Sequence, residues 1–146
     1  MRVVVQRVKQ AAVTIAGQQV ASIGPGLLLF VGLQEGDHET SVVKLAQKIA
    51  KLRIFADAAG KTNLNIKAVA GAVLSVSQFT LLAKTNHGNR QSFTAAMRPE
   101  TAEPLWQLFN QTLMQAGIEV ATGHFGADMQ VQLVNDGPFT LVLDAD

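Results

Sequence analysis

The chain has no cysteine, which removes disulfides, thiolate catalysis and zinc–thiolate sites from consideration. Charged residues are scarce, 16% against 48% apolar, a balance that describes a well-packed globular protein and argues against disorder. So thin a charged complement also points to an exterior partly covered by a partner subunit. Long hydrophobic runs are missing too. The most extended, Leu27 to Leu33, is far too short to cross a bilayer. The opening Met1-Arg2-Val3-Val4-Val5 turns polar at Gln6-Arg7 and so lacks the apolar stretch of a secretory signal. A cytoplasmic location is expected. At 146 residues, one domain spanning 1–146 around a single sizeable core is expected.

Familiar catalytic and cofactor signatures are also lacking. His38, His87 and His124 stand in separate polar segments without ligand spacing, so neither a metal site nor any cofactor is expected. The glycines form no phosphate loop and no dinucleotide fingerprint. A triad would need Ser77 as nucleophile with His87 or His124 as base, and the flanks of Ser77 do not form a nucleophile elbow.

What is present begins with charge. The net value is +1, but residues 1–57 balance to +3, residues 58–98 to +5 with no acid, and residues 99–146 to −7. Such segregation is compatible with a local basic surface and equally with charges that intermix and cancel in three dimensions.

Periodicity predicts a first strand over Val3–Val8. A hairpin is predicted from Ala12–Ile15 and Gln19–Ile23 around Gly17. Leu27–Leu33, apolar on both faces, reads as a central strand. A helix capped by Asp37 or Thr40 should run to about Leu52. Arg53–Ala56 and Ala72–Val76 read as further strands, Lys84–Ser92 as a mobile loop, and Pro99–Ala116 as a second helix stopped by Gly117. Ile118–Ala121, Met129–Val134 and Phe139–Leu143 close the set. The expected architecture is a single-domain mixed α/β fold with a mostly antiparallel, curled, barrel-like sheet and two main helices.

Two clusters stand against strand-forming runs. Ser77-Gln78-Phe79-Thr80 follows Ala72–Val76, and Asn135-Asp136-Gly137-Pro138 follows Val131–Val134. Ser and Thr terminate strands in ordinary turns, but the long polar Gln78 beside Phe79 and Leu81 fits a pocket wall better than a packed core. A strand reaching Gly-Pro is expected to end there, because proline has no N–H and a fixed φ, leaving main-chain groups aimed at a neighbour. A plain trans turn is the default for that bond. Together the clusters point to a site built largely from main chain.

These clusters, at this separation and total length, resemble the D-aminoacyl-tRNA deacylases of the D-tyrosyl-tRNA deacylase family. The resemblance extends through Arg53-Ile54-Phe55, Asn63-Leu64-Asn65 and Gly123–Met129, covering essentially the whole chain. It implies homodimers in which a cis Gly137-Pro138 reaches into the other subunit's pocket and excludes L side chains, opposite Ser77, Gln78, Phe79 and Thr80. Arg7 and Met129 are then implied to hold the Gly-Pro element or line its surroundings. The implied reaction is hydrolysis of D-aminoacyl-tRNA, with glycyl-tRNA expected to pass as well. Lys84, Arg90 and Arg98 are the expected contacts to the tRNA 3′ end. A non-catalytic tRNA-binding or dimerisation module and an ester hydrolase acting on free small molecules remain as alternatives.

Overall fold

The computed structural model describes residues 1–145. One mixed sheet carries six strands, and two helices pack on one of its faces. The first strand, β1, runs unbroken over Arg2–Ile15, where sequence had predicted two pieces. It stays continuous because the last strand, β8 (Gln130–Asp144), pairs with it antiparallel along almost its whole length. On its other side β1 pairs with β3 (Gly26–Gly32) through its first half and with β2 (Gln18–Ile23) through its second. The hairpin turn between β1 and β2 places Ala16 and Gly17 at φ 49° and 80°, the backbone that twists a tight hairpin correctly.

β3 is buried along nearly all its length, as a central strand requires. It pairs parallel with β6 (Ala72–Ser77), which pairs parallel with β7 (Glu119–Thr122). A small hairpin, β4 (Phe55–Ala56) with β5 (Thr62–Leu64), stands apart. The closing antiparallel pairs and the parallel centre together give the expected curled mixed sheet.

Helix α1 (Glu39–Lys51) is capped by His38, whose Nδ1 accepts from the Ser41 amide while the Ser41 hydroxyl accepts from the His38 amide. The predicted caps, Asp37 and Thr40, are not used. Asp37 is committed elsewhere, to the Gln34 amide and the Met1 ammonium, so the neighbouring imidazole takes the role. Helix α2 (Pro99–Gln115) starts with Pro99 in its first turn, where a missing N–H costs nothing.

Alternation along the central strands separates two apolar clusters. Leu27, Leu29, Val31 and Val73 face the helices, meeting Val42, Leu45, Ile49, Trp106, Phe109 and Leu113. Leu28, Leu74 and Val76 face the other way, into the curl formed by Val8, Val13, Ile23 and the partly buried Met129, Val131 and Leu133. Among the described residues no helix is long and apolar enough to cross a membrane.

Candidate active site

The end of β6 is where the sheet opens into a cavity. After Ser77 the chain leaves the ladder, with the Gln78 amide still donating to the Val31 carbonyl at 2.8 Å. It then tightens into a 3₁₀ turn over Phe79–Leu82. Gln78 occupies the cap position of that turn without a side-chain cap bond. The first amides of such a turn, those of Phe79 and Thr80, have no acceptor within the turn itself. The Gln78 side chain is spent on the Thr80 hydroxyl, to which its amide nitrogen donates.

Ser77, Gln78 and Phe79 form one wall of a cavity of about 600 Å³. Its remaining wall comes from Val31 and Leu33 at the end of β3, Ala96 to Pro99 with Ala102 at the start of α2, and Phe125 to Met129 before β8. The lining is mostly apolar, and Arg98 and Asp128 are its only ionisable groups. The 123–129 segment is tied to the same strand as Ser77. The Gly123 amide donates to the Ser75 carbonyl at 3.0 Å, and Trp106 Nε1 donates to the Ser75 hydroxyl at 3.0 Å while its ring meets Phe125 at 5.8 Å. Phe79 is 57% exposed at the rim and meets Phe93 edge to face, centroids 5.0 Å apart. The Lys84–Ser92 loop is closed at its base by two backbone bonds between Lys84 and Ser92.

A second constellation forms in the β1–β8 ladder. Gln6 pairs with Thr140 and Val8 with Asn135, so Arg7 alone stands opposite four residues, 136 to 139. Those four loop outward. The strand therefore does not end at the proline, as expected from sequence. It resumes at Thr140, because the Asn135 side chain bridges the gap, donating to the Arg7 and Phe139 carbonyls at 2.9 and 3.0 Å. Arg7 clamps the loop from beneath. It donates to the Asp136 carbonyl at 3.1 Å and to the Ile54 carbonyl at 2.6 Å, and its guanidinium lies 4.8 Å from the Phe139 ring centroid. At the apex Gly137 and Pro138 are exposed, and their peptide bond is cis rather than the default trans. Gly137 has φ +135°, and a Cβ there would lie 3.0 Å from Arg7 Nη2, so an L side chain would be strained and would crowd the Arg7 guanidinium.

The structure thus divides the sequence-predicted residues between two places. Ser77, Gln78, Phe79, Arg98 and Met129 share the cavity, with Thr80 beside it. Arg7, Gly137 and Pro138 form the loop and do not line the cavity of their own chain. Lys84 and Arg90 are exposed on the loop beyond Phe79. Sequence reading missed Met97, Phe125 and Asp128 as wall residues. Phe125 and Asp128 lie in the Gly123–Met129 stretch that carried the resemblance, but their place on this wall, like that of Met97, is set only when distant segments converge on folding. Among the described residues no three histidines, aspartates or glutamates cluster as a metal site would require.

The family described as D-Tyr-tRNA(Tyr) deacylase matches residues 4–144. This chain belongs to it. A protein called D-aminoacyl-tRNA deacylase from Lactobacillus delbrueckii subsp. bulgaricus is 65% identical over 144 residues, covering 99% of each chain. Its namesake in Chloroflexus aurantiacus is 56% identical over 145 residues, covering 99% of this chain and 91% of the relative. Among solved structures, one titled c-Myc DNA Unwinding Element Binding Protein superposes with a TM-score of 0.93 at 36% identity, covering 100% of this chain and 99% of the other. A probable eukaryotic D-amino acid tRNA deacylase gives 0.85 at 16% identity, covering 97% of both chains, a likeness of fold alone. The chain is accordingly an enzyme, a hydrolase of the D-aminoacyl-tRNA deacylase family.

Proposed function

We propose that this protein hydrolyses the ester joining a D-amino acid to the terminal ribose of tRNA, releases both, and cleaves glycyl-tRNA by the same route. The observation that carries the reading is the cavity whose rim, Ser77 to Phe79, offers main-chain groups and no ionised nucleophile. An aminoacyl ester is activated already, so placement and charge stabilisation suffice. Water adds to the ester carbonyl, the amides of Phe79 and Thr80 hold the developing oxyanion, and the proton passes through the substrate's own 2′-hydroxyl to the departing 3′-oxygen. Thr80 has no base beside it, its hydroxyl being taken by Gln78, and is not needed as a nucleophile.

Chiral selection has to come from shape. D and L acyl groups have the same composition, so apolar contacts alone give little discrimination; even a whole methylene is worth only about 1–3 kcal/mol. A wall of main chain at the α-carbon refuses the L side chain outright and lets glycine through. The Gly137–Pro138 apex has that character: exposed, strained by any side chain at Gly137, and braced by Arg7 and Asn135. It does not line its own cavity, so in this reading it serves the cavity of a second copy in a homodimer. Met129, on the cavity wall, completes the selecting surface. Lys84, Arg90 and Arg98 take phosphates of the tRNA 3′ end without reading bases.

The test is deacylation of D-tyrosyl-, L-tyrosyl- and glycyl-tRNA by the purified protein, with Thr80→Ala alongside. Loss of the D and glycyl esters, survival of the L ester and near-normal turnover by the variant are expected. Survival of the D ester would overturn the reading in favour of a tRNA-binding module without catalysis.

A further inference from the structure

We propose that Asp128 binds the α-ammonium group of the acyl moiety and thereby makes the enzyme favour esters whose amine is free. The inference rests on the function proposed above. The ester to be cleaved sits one carbon from a group that is positively charged near neutral pH. The cavity would receive that charge among Val31, Leu33, Phe79, Met97 and Phe125, an environment hostile to an unpaired ion. Asp128 is the one acid on the wall. It forms no ion pair among the described residues, the three pairs there being Met1–Asp37, Arg2–Asp144 and Arg7–Asp136. Arg98, the one base on the wall, forms none either, and both side chains are exposed to solvent, so the cavity offers two uncommitted charges of opposite sign. The phosphate-bearing end of the substrate suits Arg98 and the ammonium suits Asp128.

The carboxylate also sits on a segment with a defined place. Gly126 turns the chain with φ +73°, the Ala127 amide donates to the His124 carbonyl at 3.2 Å, and the segment is anchored through Gly123 and Phe125 to Ser75 and Trp106. Ser75 lies two residues before Ser77 on β6, so the carboxylate and the reacting rim are referenced to one strand. A selection based on charge complements one based on handedness. The main-chain wall passes glycine, so it cannot by itself spare a peptide ester ending in glycine. Loss of the ammonium on acylation disfavours it.

The test compares D-phenylalanyl-tRNA with D-phenyllactyl-tRNA, made from it by nitrous acid, in which a hydroxyl replaces the ammonium at nearly the same size. Asp128→Asn is expected to lower kcat/KM on the amino ester roughly tenfold, mainly through KM, and to leave the hydroxy ester unchanged. The wild type is expected to cleave the hydroxy ester roughly tenfold less efficiently than the amino ester, and that remaining turnover doubles as the control for folding. Equal losses on both esters, or no loss on the amino ester, would overturn the assignment while leaving the deacylase reading intact. A wild-type protein inert to D-phenylalanyl-tRNA would overturn that reading itself.

Discussion

The end of β6 and the loop in β8 both present main chain to the outside, yet they are held by different forces. At β6 the support is burial. Val73, Leu74, Ser75 and Val76 are inaccessible to solvent, and the turn that follows inherits its position from a packed sheet. At β8 the apex stands free and the support is polar, a guanidinium and a carboxamide satisfying carbonyls that would otherwise dangle. A pocket wall needs depth, and the core supplies it. An exposed loop has no core beneath it, so directed hydrogen bonds must define its shape.

Breaking the buried side should have the largest effect. A Cβ on Gly26 would sit 1.8 Å from the Ala72 carbonyl oxygen, in the parallel pairing of β3 with β6. Gly26→Ala is therefore expected to cost about 4 kcal/mol or more in urea unfolding, and a midpoint near wild type would show that these strands separate easily. Breaking the polar side comes next. Arg7→Ala loses two charge-assisted bonds and should cost roughly 3 kcal/mol, with deacylation reduced about a hundredfold because the apex is misplaced. Arg7→Lys should not restore it, since a single ammonium cannot reach both carbonyls in the guanidinium's geometry. Retained activity in both variants would mean the loop holds its own shape.

A milder change sharpens the contrast. Trp106→Phe leaves the fully buried Ser75 hydroxyl without its partner and should cost roughly 1–2 kcal/mol, a loss read from thermal unfolding. The smallest effect lies outside both regions, at the exposed pair of Arg2 with Asp144. Hydrogen bonding by Arg2 holds the Asp144 carboxyl below its ordinary value of 3.8. Its contribution is present above that pH and disappears as pH falls through the lower folded value. Asp144→Asn should thus cost under about 1 kcal/mol at pH 7 and nothing in strong acid; an equal difference at both pH values would assign the loss to something other than charge.

Much of the fold was legible in order because periodicity is a local property. Leu27–Leu33 announced a strand buried on both faces, and Pro99 and Gly117 bracketed α2. The misreadings have one origin: a partner distant in sequence. His38 became the cap because Met1 and Gln34 claim Asp37, and β8 survives its proline because Asn135 reaches across to the carbonyl of Arg7. The candidate site followed the same rule. Ser77–Phe79 and the Gly-Pro apex stood out as local clusters, whereas the roles of Asp128, Met97 and Phe125 as wall residues are set only where β3, α2 and the 123–129 segment meet.

By itself, then, the chain's order of residues determined which segments are strands or helices, where main chain would be laid bare, and that no thiol chemistry was available. Only the tertiary structure decided that Ser77, Arg98 and Asp128 share one cavity and that Gly137 and Pro138 do not line it. Hydrophobic period and backbone chemistry act between near neighbours along the chain. Which charges meet, and which carbonyls a guanidinium satisfies, depends on contacts between residues 47 to 129 positions apart, as Arg7 shows with Ile54 and Asp136.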